Sequence, residues 1–155
     1  MTKPRTITTT PFPAWQGWIR RGGGFPAAVE AADDRRREMG AAVFSLPEPG
    51  EAKTTSWAQS GGRFGVFTGY LYNRRELAAE LALETDPADP TPPSAVEVAL
   101  AGYLKWGGDV LGKLEGSFAV AVWDQPRETL LCGRDPVGLH PFFYSLTGED
   151  RKSVV

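Results

Sequence analysis

The sequence predicts an α+β domain built of layered antiparallel sheets. Three observations carry this prediction. Strand-like apolar runs flank a helical middle, with Arg63–Thr68 before it and Phe118–Trp123 after it. Two capped helices lie between these runs, opening at Asn73 and Ser94. Turn signals sit at hairpin positions: Ser60-Gly-Gly62, and Asp135-Pro136-Val137-Gly138 with Asp first, Pro second and Gly fourth, as a type I turn prefers.

The elements follow in order. Thr6–Thr10 is β-branched and reads as a strand. Gly22–Gly24 and Pro26 break regular structure, and Ala27–Met39 reads as a short charged helix. Gly40–Leu46 is a strand ended by Pro47 and Pro49, and Thr54–Ala58 is another. Asn73 caps the first helix with Glu76 reaching back, and Leu77 and Leu81 lie on one face beside Ala78 and Ala82. Pro87, Pro90, Pro92 and Pro93 mark a stiff loop. Ser94 caps the second helix with Glu97, and Val96, Leu100, Tyr103 and Leu104 form its apolar stripe. Gly107-Gly108 stops it, and Asp109 begins a short helical turn through Val110, Leu111 and Leu114. Phe118–Trp123 is apolar throughout, as in a strand covered on both faces. Asp124–Glu128 turns the chain into Thr129–Gly133, and Pro141–Ser145 reads as a further strand. Residues 151–155 look like one more strand just starting, so the domain is expected to be incomplete at its C-terminus.

Composition narrows the function classes. With 155 residues, one domain is expected. A net charge of -2 gives no field for nucleic acid or a membrane surface. Residues 1–40 carry +3 and residues 41–155 carry -5, and Arg35–Arg37 sits between acidic residues as a solvated mixed-charge segment. The one cysteine, Cys132, permits no internal disulfide, and the one histidine, His140, permits no multi-histidine metal site. No apolar run approaches membrane-spanning length and no signal-peptide core opens the chain, so a cytoplasmic location is expected.

The motifs are more specific. Phe64–Leu77, Ser94–Glu97, Leu114–Asp124 and Arg134–Tyr144 occur in an order and spacing that resemble the N-terminal type-2 glutamine amidotransferase domain of asparagine synthetases and their relatives. The likeness runs roughly over residues 64–144. It implies the four-layer α-β-β-α sandwich of N-terminal-nucleophile hydrolases, with residues 40–155 as the clear glutaminase-like part and residues 1–39 the least readable. In such relatives a cysteine exposed by loss of the initiator methionine attacks the glutamine side-chain amide, with its own α-amine as base. An Asn side chain and a Gly backbone N–H stabilise the oxyanion. An aspartate pairs with the ammonium of glutamine, an arginine holds its carboxylate, and ammonia passes to an ATP-using domain.

This chain departs from that pattern. Thr2-Lys3-Pro4 stands where Cys-Gly-Ile is usual, leaving Thr2 as the remote candidate nucleophile on a free amine. Thr68-Gly69-Tyr70-Leu71-Tyr72-Asn73 matches Asn-Gly-Glu-Ile-Tyr-Asn: Gly69 matches, Thr68 replaces the Asn donor, and Tyr70 replaces an acidic residue with a ring that could fill the glutamine's place. Losing one oxyanion donor costs about 2.7–4 kcal/mol of transition-state stabilisation. Ser94-Ala95-Val96-Glu97 matches Ser-Asp-Thr-Glu, with Ala95 where the ammonium-binding aspartate belongs. Arg63 lies too near the oxyanion segment to be the carboxylate-binding arginine. Thr68, Gly69, Tyr70, Ser94 and Ala95 are therefore expected to line a vestigial glutamine pocket without catalytic residues or metal.

Other conspicuous residues have plainer readings. Cys132 lies mid-strand as an inert thiol, His140 as a packing or surface residue, and Ser60–Gly62 as a hairpin turn. Cysteine-lacking members of the group resemble β-lactam synthetases and lasso-peptide cyclases, which keep the N-terminal domain as structure. The leading expectation is thus the N-terminal portion of an ATP- and Mg-dependent amide-forming enzyme. Its implied partner is a synthetase domain, with a peptide substrate or a second copy as further candidates. Two other readings stand beside it: the active glutaminase half of an ordinary asparagine synthetase with a mis-set start, and a free-standing module that binds a peptide or partner near Tyr70.

Overall fold

The computed structural model describes residues 5–7, 16–19, 36–39, 42–45, 54–83, 91–140 and 142. Two four-stranded sheets run through them, with every neighbouring pair antiparallel. The first holds β1 (Arg5–Ile7), β2 (Gln16–Ile19), β3 (Arg36–Met39) and β4 (Ala42–Ser45), in the order β1-β2-β4-β3. The second holds β5 (Thr55–Ser60), β6 (Arg63–Leu71), β7 (Gly116–Asp124) and β8 (Thr129–Arg134), in sequence order. Between β6 and β7 come α1 (Arg74–Glu80), α2 (Ala95–Trp106) and a 3-10 turn, Gly107–Gly112. The α+β class and the antiparallel pairing are as the sequence predicts.

The hairpin geometry follows from its turn. Gly61 and Gly62 adopt φ of 54° and 73°, the left-handed pair that matches the twist of the flanking strands. This two-residue turn sets Ser60 opposite Arg63 and, five pairs on, Thr55 opposite Thr68. From β6 the register continues to β7 as Arg63↔Asp124 through Leu71↔Gly116.

Alternation along these strands divides the core in two. Phe67, Leu71, Phe118, Val120, Val122 and Leu131 face the helices, meeting Leu77, Val96, Leu100, Tyr103 and Val110. Phe64, Val66, Ala121 and Trp123 face the other way, onto Ala42 with Ile19 and Met39 of the first sheet. The Trp123 indole Nε1 donates to the Met39 carbonyl at 3.1 Å, a second link between the sheets. With both faces covered, β7 is apolar without alternation, as the sequence implies. Each fully buried large side chain here contributes about 1.5–3 kcal/mol.

The structure corrects four expectations. Within Ala27–Met39, residues 36–39 form β3, because pairing with β4 overrides a weak local helix preference, and residues 27–35 lie outside the described residues. Strand β2 was not expected: it is four residues long and contains Gly17, too little for an alternation pattern. Asn73 makes no side-chain cap; its amide instead donates to the Lys113 carbonyl at 2.9 Å and accepts from the Glu115 N–H at 3.1 Å, tying α1 to the start of β7. Leu104 is 52% exposed, and Val98 and Ala99 are buried in its stead, since α2 rests on the sheet along a broader face than the stripe predicts. The capping box of Ser94 and Glu97 is present as expected. The strand expected at Pro141–Ser145 lies outside the described residues apart from Phe142, whose ring packs on the second cluster.

One buried carboxylate joins α2 to both hairpin ends. Asp124 is fully buried and accepts from the Tyr103 hydroxyl at 3.0 Å, while Arg63 Nε and Arg127 Nη1 stand 3.4 and 3.7 Å from its Oδ2. Burial pushes the Tyr103 phenol above its ordinary value, Arg127 opposes this and Asp124 adds to it, so the hydroxyl stays a donor. Removing the carboxylate leaves the buried Tyr103 hydroxyl and the Arg63 Nε without their acceptor, while Arg127, 65% exposed, stays solvated. Asp124→Ala is expected to lose about 2–3 kcal/mol in urea unfolding and Tyr103→Phe about 1 kcal/mol; equal losses in the two would remove the charge from this account.

Candidate functional site at the end of strand β6

Thr68, Gly69 and Tyr70 sit together at the C-terminal end of β6. Strand pairing places the Thr68 hydroxyl 2.9 Å from the Thr55 hydroxyl. The Gly69 N–H donates to the Thr54 carbonyl at 2.9 Å. The Thr68 hydroxyl is thus partnered from β5, and the Gly69 N–H from Thr54, the residue before it. Gly69 has φ of 111°, and a Cβ there would collide with the Ser117 carbonyl. The same Cβ would stand 2.8 Å from Nε2 and 2.9 Å from Cδ2 of His140. Only glycine lets β7 and the imidazole edge approach this closely.

His140 reaches Gly69 because Asp135 folds the intervening turn. Gly138 N–H bonds both the Asp135 carbonyl, at 3.0 Å, and its Oδ2, at 2.7 Å. Leu139 N–H also donates to Oδ2 at 3.3 Å, and Phe118 N–H of β7 donates to Oδ1 at 3.1 Å. Burial alone would raise the Asp135 carboxyl, but these N–H donors, with that of His140, outweigh it and hold the carboxyl below its usual value. The ionised form is therefore favoured by folding. Its stabilisation is complete above about pH 5 and is lost as pH falls below about 4 toward the lowered folded value. Urea unfolding between pH 6 and pH 3 should show a declining midpoint in the unsubstituted chain and a shallower decline in Asp135→Asn, which should also cost about 1–3 kcal/mol at pH 7. Parallel pH profiles would exclude Asp135 as the source.

The remaining expected residues have partners of their own. Ser94 caps α2, where its N–H donates to Glu97 Oε2 at 2.7 Å and the Glu97 N–H donates to its hydroxyl at 3.4 Å. Ala95 packs against the helix-side apolar cluster. Thr2 lies outside the described residues. Tyr70, two residues after Thr68 on the same face of β6, is 60% exposed. Arg63 is engaged with Asp124 at the opposite end of β6, about 20 Å away at the usual rise per strand residue. Among the described residues no three His, Cys, Asp or Glu side chains gather as metal ligands, and no helix is long and apolar enough to cross a membrane.

Sequence reading missed two contributors. Thr55 was legible in principle, since the two-residue turn dictates its pairing with Thr68. The role of His140 was not, because it depends on how Asp135 seats on the Phe118 N–H. Cys132 agrees with its plain reading: on β8, facing the first sheet, burial pushes its thiol up to about 12. Alkylation by iodoacetamide at pH 8 should therefore be very slow in the folded chain and rapid in urea. Fast labelling of the folded chain would show the thiol to be reactive.

Comparison with known proteins comes to the same segment. The glutamine amidotransferase domain family matches residues 49–154. Asparagine synthetase [glutamine-hydrolyzing] 3 of Bacillus subtilis is 40% identical over 83 residues, covering 54% of this chain and 13% of that protein. A putative asparagine synthetase [glutamine-hydrolyzing] of Mycobacterium tuberculosis is 44% identical over 78 residues, covering 50% of this chain and 12% of its own length. Amidase chry2 of Gibberella zeae is 31% identical over 88 residues, 57% of this chain and 13% of that protein. The matched stretch is thus a small fraction of each relative; the family match, residues 49–154, includes the β6 strand, both helices and the Asp135 turn. On the strength of the match across most of its length, the chain belongs to the glutamine amidotransferase domain family.

Proposed function

We propose that this chain is the glutaminase-type portion of an asparagine synthetase-like, ATP-dependent amide-forming enzyme, and that its own glutaminase site is degenerate and serves structure. The observation that carries this is the state of the oxyanion segment. The Gly69 N–H is already bonded to the Thr54 carbonyl, and the Thr68 hydroxyl is held 2.9 Å from that of Thr55, which supports a strand end organised by its neighbours. Ala95, where an ammonium partner would be needed, offers only a methyl group to the apolar core. Thr68, Gly69, Tyr70, Ser94 and Ala95 are, on this reading, what is left of a glutamine pocket.

The reading extends to the whole protein. Its synthetase domain would bind ATP and Mg, adenylate a carboxylate and let an amine close the amide, as in the lasso-peptide cyclases and β-lactam synthetases to which the cysteine-lacking pattern is similar. A peptide substrate and the synthetase domain are the proposed partners, in the cytoplasm. The proposed architecture is the four-layer α-β-β-α sandwich. It is supported by the helices on one face of the second sheet and by the contacts of Ala42, Ile19 and Met39 on the other.

The test is ammonia release from L-glutamine by the purified chain, followed by a coupled dehydrogenase assay. No release above the uncatalysed background is expected, with or without Thr2→Ala. Release that Thr2→Ala abolishes would establish a working N-terminal nucleophile and end this reading.

A further inference from the structure

We propose that residues 136–140 form a strap across the Gly69 end of β6, latched by the Asp135 carboxylate and able to open while both sheets stay folded. The proposal stands on the contacts of the turn and is independent of whether the site hydrolyses glutamine.

Three observations carry it. First, the strap is anchored on both sides. Before it, Asp135 is buried and meets Phe118 of β7 twice: its N–H donates to the Phe118 carbonyl at 2.9 Å, and its Oδ1 accepts from the Phe118 N–H at 3.1 Å. After it, Phe142 packs on the cluster between the sheets. Second, the strap itself buries no side chain. Val137 and Leu139 are 78% and 66% exposed, Pro136 is exposed, and Gly138 and His140 are half-buried. Third, its hydrogen bonds converge on one residue. The Gly138 N–H bonds the Asp135 carbonyl and Oδ2, and the Leu139 N–H donates to the same Oδ2. The Arg134 guanidinium over Gly138 belongs to an exposed side chain.

A segment without buried apolar side chains lacks the interaction that binds the rest of a fold into one cooperative unit. Releasing it exchanges a few charge-assisted hydrogen bonds for bonds to water. Because those bonds share an acceptor, they break together. Oδ1 stays on the Phe118 N–H, so the hinge remains on β7. Opening lifts the His140 edge from Gly69, where it now stands 2.8 Å from the position of a Cβ. A partner approaching β6 from this side meets the closed strap first, and its apparent affinity is reduced by the open fraction.

The experiment is native-state amide hydrogen exchange of the full 15N-labelled chain in rising, sub-denaturing urea. Gly138 and Leu139 should show one common protection factor that urea does not change, while Phe118, Val120 and Val122 of β7 lose protection steadily. Tyr103→Phe, which weakens the fold elsewhere, should speed exchange in β7 and leave Gly138 and Leu139 unchanged. Asp135→Asn should speed Gly138 and Leu139 at least about tenfold and shift the Gly69 Cα resonance as the ring leaves. Three results overturn the proposal: Gly138 and Leu139 following the urea dependence of β7, their exchanging without protection in the unsubstituted chain, or their exchanging at an unchanged rate in a folded Asp135→Asn chain. If Asp135→Asn does not fold, the urea dependence of the unsubstituted chain decides by itself.

Discussion

The antiparallel pairing of β6 with β7 is the constraint on which the described structure depends. These nine-residue strands are paired along their whole length, and their two faces serve two different cores. Because side chains alternate, each strand can meet helices on one face and the first sheet on the other only if its register is unique. A slip of one residue would exchange Phe67 with Val66 and Phe118 with Ala119, putting large rings where small residues now meet the other layer. The Gly61–Gly62 turn at one end and the Asn73 bridge to Lys113 and Glu115 at the other hold that register from outside the strands.

The chemistry of the candidate site follows from this pairing. Thr68 and Gly69 lie at the end of β6, between β5 and β7, and each neighbour takes something from them. Strand β5 pairs with the Thr68 hydroxyl, and Thr54 just before it accepts from the Gly69 N–H. Strand β7 brings the Ser117 carbonyl against the Gly69 Cα and, through Phe118, anchors the Asp135 turn that carries His140. Preorganised donors stabilise a developing charge only when they are aimed at it and otherwise unengaged. Here the Gly69 N–H is already engaged by the Thr54 carbonyl.

The two buried carboxylates show how polar groups organise opposite ends of the second sheet. Asp124 gathers Tyr103, Arg63 and Arg127 beside the β5–β6 and β7–β8 turns, and Asp135 gathers backbone N–H groups after β8. A buried carboxylate without partners would be strongly destabilising, so each dictates the path of the chain around it. Neither belongs to the apolar pattern that first points to the fold, yet both decide where loops return.

Local rules made much of this protein legible from its residues. Capping by Ser94 and Glu97, the Gly-Gly hairpin turn, the Asp-Pro-Val-Gly turn and the unbroken apolar run of β7 each act over a few residues, and each is present. The order of motifs from Phe64 to Tyr144 likewise carried the family. What local rules assigned wrongly, tertiary contacts had reassigned. Residues 36–39 are a strand because β4 pairs with them, and Asn73 bridges to the start of β7 instead of capping its own helix. Leu104 is exposed by the seating of α2, and Tyr70 turns to solvent while His140 covers Gly69. Sequence alone therefore determined most of the elements, their turns and the family resemblance, because backbone preferences and residue chemistry are properties of short segments. Only the tertiary structure decided which groups remain available at the end of β6, because a hydrogen bond is satisfied by whichever partner the fold brings nearest, however distant in the chain.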